Sequence, residues 1–296
     1  MIHMARNLLI LGAALGGTAV AIAMADDRPS EQSWASRSKR YSPQEDARID
    51  APPGGWAAPV VVQGGRNIVL DGGGQRVSRL SFKATTGSVT ISNLRISLDE
   101  EGDAIAVASR NGRSPDVTLR NIFVEGVRGS REGIHGDIFQ GQGDIGRLRI
   151  INLIGSSGYQ GIFLKGTPDR AIKSAYLERV HLSHSGEARG FLLWFGDGIR
   201  TSIDGRRAKG PAAPRFPVIL KDVYVTPRPG QDLSRSIYPN KGVVDAQGRD
   251  IGAYSTDGGK TWRWPLAANI QGVVISGPPP RGLFKDIPRE MKSIVK

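Results

Sequence analysis

The chain has 296 residues, no cysteine, 39 glycines, 18 prolines and a formal charge of +12. The absence of cysteine excludes disulfide stapling and thiolate metal sites, and the patterned Val, Ile and Leu exclude a disordered chain, leaving one large domain with a sizeable core. So basic a surface attracts polyanions, but no zinc-finger spacing, basic helix or RNA-binding signature points to nucleic acid.

Residues 1–25 read as a signal peptide. Arg6 supplies the positive start, Leu8 to Ala23 is apolar, and Ala23-Met24-Ala25 has small residues at the cleavage positions. The alternative is a single membrane anchor, because the apolar run is only just short of a span. No later stretch is apolar enough to cross a membrane. The mature protein is therefore expected in the periplasm or outside the cell, without stable membrane insertion. Residues 26–59 read as an irregular lead-in interrupted by Pro29, Pro43, Pro52 and Pro53, with a short helix near 43–49.

From Val60 the texture changes. Val60-Val61-Val62 and Ile68-Val69-Leu70 are short strand signals, separated by Gly64-Gly65 and closed by Asp71-Gly72-Gly73-Gly74. A repeat then emerges, in which Val89-Asn93, Val117-Asn121, Leu148-Asn152, Ala175-Arg179, Val218-Asp222 and Ala268-Gly272 align. Positions one and three of each are mostly apolar, and the pattern resumes after the fifth. The first intervals are 28, 31 and 27 residues, and the last two are 43 and 50, which implies inserted loops.

A second series runs in step: Ala104-Val107, Gly133-Gly136, Gly161-Leu164 and Gly190-Leu193, at intervals of 29, 28 and 29 residues. Two series of nearly equal period mean one stacked unit per repeat. The unit has no amphipathic helix, which excludes helical repeats, leucine-rich repeats and βαβ crossovers. A propeller blade would need a longer period, of ~40 residues or more. The expected fold is all-β: a right-handed parallel β-helix, a single-stranded solenoid over residues 60–276, with a C-terminal tail at 277–296. Asn93, Asn121 and Asn152 fall at the bend after the first strand. Asn tolerates left-handed backbone there, and its amide can bond along a stack.

In organisation, residues 60–276 resemble the pectate-lyase-like superfamily of parallel β-helix proteins. The resemblance lies in architecture and repeat texture. It implies an enzyme acting on a polysaccharide laid along the outside of the coil, as a lyase, hydrolase, epimerase or esterase. It equally covers non-enzymatic members. The arginine base that pectate lyases would imply is anchored by no local motif of this sequence.

Registering the second series turns Ile105, Ile134, Ile162 and Phe191 inward, followed two residues on by Val107, Gly136, Leu164 and Leu193. One outward column is then Ala106, His135, Phe163 and Leu192, and the next is Ala108, Asp137, Lys165 and Trp194. His135 and Asp137 would share one face about 7 Å apart, with Lys165 about 5 Å from Asp137 on the next rung. Such a face has the ingredients of a sugar site. His135 suits a general base, Asp137 orients it, and Lys165 stabilises charge on a uronate carboxylate or enolate. Glu132, Gln140, Gln160, Phe163, Arg189 and Trp194 are the flanking substrate-binding candidates. The bland alternative is an Asp137–Lys165 surface ion pair.

Glycoside hydrolysis needs two carboxyl groups. Glu132, Asp137 and Asp197 are candidates, but no adjacent pair is evident. His181 and His184 lack a third ligand for a metal site. No cofactor is expected. Calcium is possible, with Asp71, Asp99, Glu100, Glu101 and Asp103 as oxygen sources. Loops at 196–217 and 227–242, the latter carrying Arg235 and Tyr238, are placed to fold over the outward face. Ser255-Thr-Asp-Gly-Gly-Lys-Thr-Trp262 matches the Asp-box pattern, a structural hairpin. The proline-rich tail either caps the coil or hangs free. The functional expectation is an exported enzyme that cleaves an acidic polysaccharide by β-elimination. A hydrolase using paired carboxylates, an epimerase, and a non-catalytic polysaccharide-binding or envelope-assembly protein are the alternatives.

Overall fold

The computed structural model describes residues 37–109, 113–130, 133–166, 171–186, 190–197, 202–203, 206–207, 213–245, 247–285 and 287. The segment read as a signal peptide lies outside them, as do Glu132 and Arg189. No helix among the described residues is long and apolar enough to cross a membrane.

The protein is all-β. Its strands in chain order are β1 (Lys39–Tyr41), β2 (Ala47–Asp50), β3 (Val60–Gln63), β4 (Asn67–Asp71), β5 (Arg76–Val77), β6 (Leu80–Lys83), β7 (Ser88–Ser97), β8 (Ile105–Ser109), β9 (Asp116–Val127) and β10 (Asp137–Gly143). They continue with β11 (Ile145–Ser157), β12 (Gln160–Gly166), β13 (Ile172–His184), β14 (Leu193–Asp197), β15 (Ser202–Ile203), β16 (Arg206–Arg207), β17 (Val218–Thr226), β18 (Ile237–Tyr238), β19 (Thr261–Trp262), β20 (Ile270–Gln271) and β21 (Val274–Ser276).

The chain passes back and forth between two large sheets. The first has the order β1-β3-β6-β8-β10-β12-β14-β18, and the second is β19-β21-β17-β13-β11-β9-β7-β4-β2. All pairings in both are parallel except that of β19 with β21. Between the sheets lies one continuous apolar core, to which successive rungs contribute buried side chains such as Ile91, Leu119, Ile150, Leu177 and Leu220. A single rung has no way to bury its own apolar side chains, so each depends on its neighbours above and below.

The first repeat series is in register. Val89 pairs with Val117, Val117 with Leu148, Leu148 with Ala175 and Ala175 with Val218. Only the last member is displaced: Val218 meets Ile270 rather than Ala268. At the bend, Asn93, Asn121 and Asn152 hold φ of 55°, 55° and 57°. Their amides form a chain along the coil. Asn152 donates to Asn121 at 2.9 Å, Asn121 to Asn93 at 2.8 Å, and Asn93 to Asp71 at 3.1 Å. Each residue thus occupies a backbone shape that most residues avoid, and each amide N–H finds the side-chain oxygen of the rung before, while Asn152 Oδ1 has no partner among the described residues.

Three expectations change. The lead-in is not irregular throughout: β1 joins the first sheet and β2 the second, so the paired rungs begin before residue 60, and the segment 47–50 is strand rather than helix. The loop at 227–242 does not fold across the sheet; β18 adds a rung to it. The tail neither caps the coil nor hangs free over its described part. Phe284 and Ile287 bury themselves against Phe123 and Ile154 on the outer side of the second sheet.

The Asp-box segment forms its hairpin. Ser255 Oγ donates to Asp257 Oδ1 at 2.8 Å. Thr261 donates to the same carboxylate from its amide at 2.9 Å and from its hydroxyl at 2.7 Å. Trp262 packs beneath, buried, with its indole N–H on the Gly259 carbonyl. These hydrogen bonds, led by the Thr261 hydroxyl, pull the Asp257 carboxyl down to about 2.

Candidate functional site: the outer face of the first sheet

The true register of the first sheet differs from the one its glycines suggest. Phe139, not Ile134, pairs with Ile105 and Ile162, and Leu193, not Phe191, pairs with Ile162. The outward column is therefore Ala106, Gln140, Phe163, Trp194 and Tyr238. The next outward positions hold Lys165 and, on the neighbouring rung, Gly196.

The reason for the shift lies at the corner where the chain enters the sheet. Consecutive residues there are both buried: Ala104 with Ile105, Ile138 with Phe139, and Leu192 with Leu193. Gly161 and Gly190, which set the apparent period, and Gly136 serve close backbone contact instead. A Cβ on Gly136 would stand 2.0 Å from the Arg128 carbonyl oxygen, one on Gly161 2.2 Å from that of Leu192, and one on Gly190 2.2 Å from that of Tyr159. Gly136 is thus wedged between backbones.

This register takes the expected catalytic group apart. His135 lies in the loop before β10, half-buried, with its ring 5.5 Å from that of Tyr159. Asp137 starts the strand and is fully buried, and its amide donates to Asp103 Oδ1 at 3.0 Å. Its partner on the next strand is Gln160, five residues before Lys165, a separation of roughly 16 Å along the strand. Asp137 and Lys165 therefore do not pair, and His135 is on no strand face with either. Leu192, expected outward, is fully buried. Gln140 is on the outward column as a flank of Phe163 but is almost enclosed, as is Gln160.

What the sheet does assemble is a group of four aromatic rings, all partly exposed. Trp194 stacks on Tyr238 with centroids 4.6 Å apart and 29° between planes. Phe163 meets Trp194 at 5.1 Å, and Phe191 meets Trp194 at 5.4 Å and Tyr238 at 5.5 Å. A Cβ on Gly196 would come within 2.9 Å of the Trp194 indole nitrogen and 3.3 Å of a Tyr238 ring carbon, so the two rings lean over this residue. Burial raises the Tyr238 hydroxyl pKa, keeping it protonated at neutral pH. Phe163 and Trp194 are the candidates that meet. Phe191 was assigned inward and Tyr238 to a loop, and only the corner geometry brings both to this face.

The remaining sequence candidates are engaged elsewhere. Glu100 pairs with Arg37 at 2.7 Å, Asp99 with Arg76 at 3.1 Å, and Asp71 accepts from Asn93 and Arg48. Among the described residues no group of three His, Asp or Glu is arranged to hold a metal ion. His181 and His184 lie on β13 in the second sheet, away from the aromatic group. His181 shares a hydrogen bond with the Thr226 hydroxyl at 3.0 Å. Burial lowers both imidazoles to about 4, with Arg228 adding to the effect at His184. Compared with protein-family models, with curated proteins and with solved structures, the chain matches none.

Proposed function

We propose that this is an exported polysaccharide-binding protein with the architecture of a right-handed parallel β-helix, holding an acidic glycan against the outer face of its first sheet. The architecture is supported by strands that alternate between two parallel sheets and by the strong preference of parallel crossovers for the right hand. Export rests on the character of residues 1–25 alone.

One observation carries the binding reading: the joined rings of Phe163, Phe191, Trp194 and Tyr238, left partly exposed on one end of one sheet. Aromatic groups at a surface are the usual complement of the C–H faces of sugars, with the ring edges and Lys165 beside them to meet hydroxyls or a carboxylate. The high positive charge favours an acidic chain. Binding without cleavage is preferred to β-elimination because His135, Asp137 and Lys165 are not gathered around one reacting centre.

The test is titration of the full chain with polygalacturonate, followed by tryptophan fluorescence, with product assays alongside. Binding that Trp194→Ala weakens about tenfold is the expected result, without new reducing ends or unsaturated uronate ends. Unsaturated ends that vanish in His135→Ala would instead assign a lyase. No binding to acidic or neutral glycans would sink the reading altogether.

A further inference from the structure

The aromatic group stands near one end of a line of residues at the corner where each turn enters the first sheet. Asp137 pairs with Gln160, and extending the register of the other strands two residues back from their first pairs carries that line through Ala58, Ser78, Asp103, Asp137, Gln160 and Phe191. At its other end is a cavity of about 190 Å³. Its wall is apolar at Ala57, Ala58 and Pro59 and charged at Arg37, Asp99 and Glu100.

The chemistry of this cavity is specific in kind. Arg37 and Glu100 pair across 2.7 Å, so donors and acceptors stand together with little net charge. Arg79 also lines the cavity. It is buried and held by the carbonyl oxygens of Glu100 at 3.4 Å and Glu101 at 3.0 Å, which fixes its guanidinium in place. Ser78, on the same wall, has a buried hydroxyl oxygen with no hydrogen-bond partner among the described residues. An apolar patch beside paired donors and acceptors complements a sugar ring, which offers C–H groups on one side and hydroxyls that both give and accept hydrogen bonds.

We infer that this cavity is a second sugar subsite, taking a hydroxyl-rich unit of the same glycan that rests on the aromatic group. The inference depends on the carbohydrate reading given above. Four ladder steps separate β6, which follows Ser78 and Arg79, from β14, which carries Trp194; that is roughly 19 Å along the coil. A mono- or disaccharide is too short to touch both places, whereas a longer oligosaccharide running along the coil reaches each. Affinity must then rise with chain length and stop rising once both are filled.

Calorimetric titration of the full chain with galacturonate oligomers of increasing length tests this. Wild-type affinity should climb with length to a plateau. Ala58→Trp, which fills the cavity, should remove the climb, leaving the longest oligomer about tenfold weaker and the shortest unchanged. Glu100→Gln, which keeps the shape of the wall, should move in the same direction by a smaller factor and guards against a misfolded Ala58→Trp. Trp194→Ala should weaken every length. If both cavity variants bind every length as the wild type does, the subsite is overturned while the aromatic reading stands. If the wild type binds no oligomer of any length, the aromatic reading fails and the subsite with it.

Discussion

The two sheets are made by the same turns of chain, yet they are held together differently. The second sheet has long strands that bend at Asn93, Asn121 and Asn152, and the amides of these residues are bonded from one rung to the next. The first has short strands, corners where two successive side chains are buried, and on its outer face four partly exposed aromatic rings. Regular bending with side chains bonded from rung to rung fixes register. Irregular corners leave room for loops and for side chains the core does not need. The difference separates a region that sets the register of the stacked strands from one whose outer surface carries side chains the core does not claim.

The sharpest test of that separation compares Asn121→Ala with Phe163→Ala. Removing the Asn121 amide deletes its bond to Asn93 and strands the Asn152 donor, and alanine must then hold a φ of 55°. The expected loss is about 3 kcal/mol from the hydrogen bonds and the left-handed backbone together. Asn121→Gly relieves the backbone part and should cost about 1 kcal/mol less. Phe163 is partly exposed, so Phe163→Ala should cost only about 1 kcal/mol while weakening glycan binding. Urea denaturation midpoints measure all three. Equal losses for Asn121→Ala and Phe163→Ala would erase the distinction between the sheets.

The same difference explains how much of the molecule is legible in the sequence. Val89, Val117, Leu148, Ala175 and Val218 align correctly because apolar alternation and a recurring bend residue both mark the second sheet. In the first sheet the recurring signal was glycine followed by an apolar residue, and at Gly161 and Gly190 the glycine answers to close backbone approach rather than to strand phase. Gly133-Ile134 mimics Gly161-Ile162 but belongs to a loop, so every residue from His135 to Asp137 was placed on the wrong part of the rung. Phe163 and Trp194 were found because parity survives a two-residue slip at Trp194. Tyr238 was hidden because β18 spans only Ile237 and Tyr238, too short to show alternation.

A second contrast concerns acid. His181 and His184 sit in the second sheet, half-buried, with imidazole pKa values pulled by burial from 6.5 to about 4. The neutral form is favoured in the fold, and the unfolded chain takes up protons first. Stability from these groups is therefore complete above about pH 6.5 and declines as the pH falls from 6.5 towards 4. No histidine occupies the aromatic group, so acid in this range should loosen the second sheet before it changes binding on the first. A plot of unfolding free energy against pH should bend downward over that interval, and His181→Gln with His184→Gln should flatten it. An unchanged slope in the double variant would mean that the two rings titrate normally.

The smallest effect is expected at the Asp-box hairpin, which lies outside both stacks of parallel strands except where β19 joins β21. The carboxylate of Asp257 is held at about 2 by the Thr261 hydroxyl and amide and by Ser255. Its sign is opposite to that of the histidines in cause and alike in direction. The charged form is favoured in the fold, so its contribution is present above the ordinary carboxyl range, near 3.8, and disappears as the pH falls from there to about 2. Asp257→Asn keeps the shape but loses the charge that strengthens each bond. Because the side chain is at the surface, the global unfolding midpoint should barely move. The local result should be faster amide exchange at Thr261, whose N–H loses its charged acceptor, while the amides of β13 and β17 keep wild-type protection. Loss of protection in those strands as well would show that the hairpin supports the end of the coil, in which case it belongs with the second sheet's framework rather than with the appended loops.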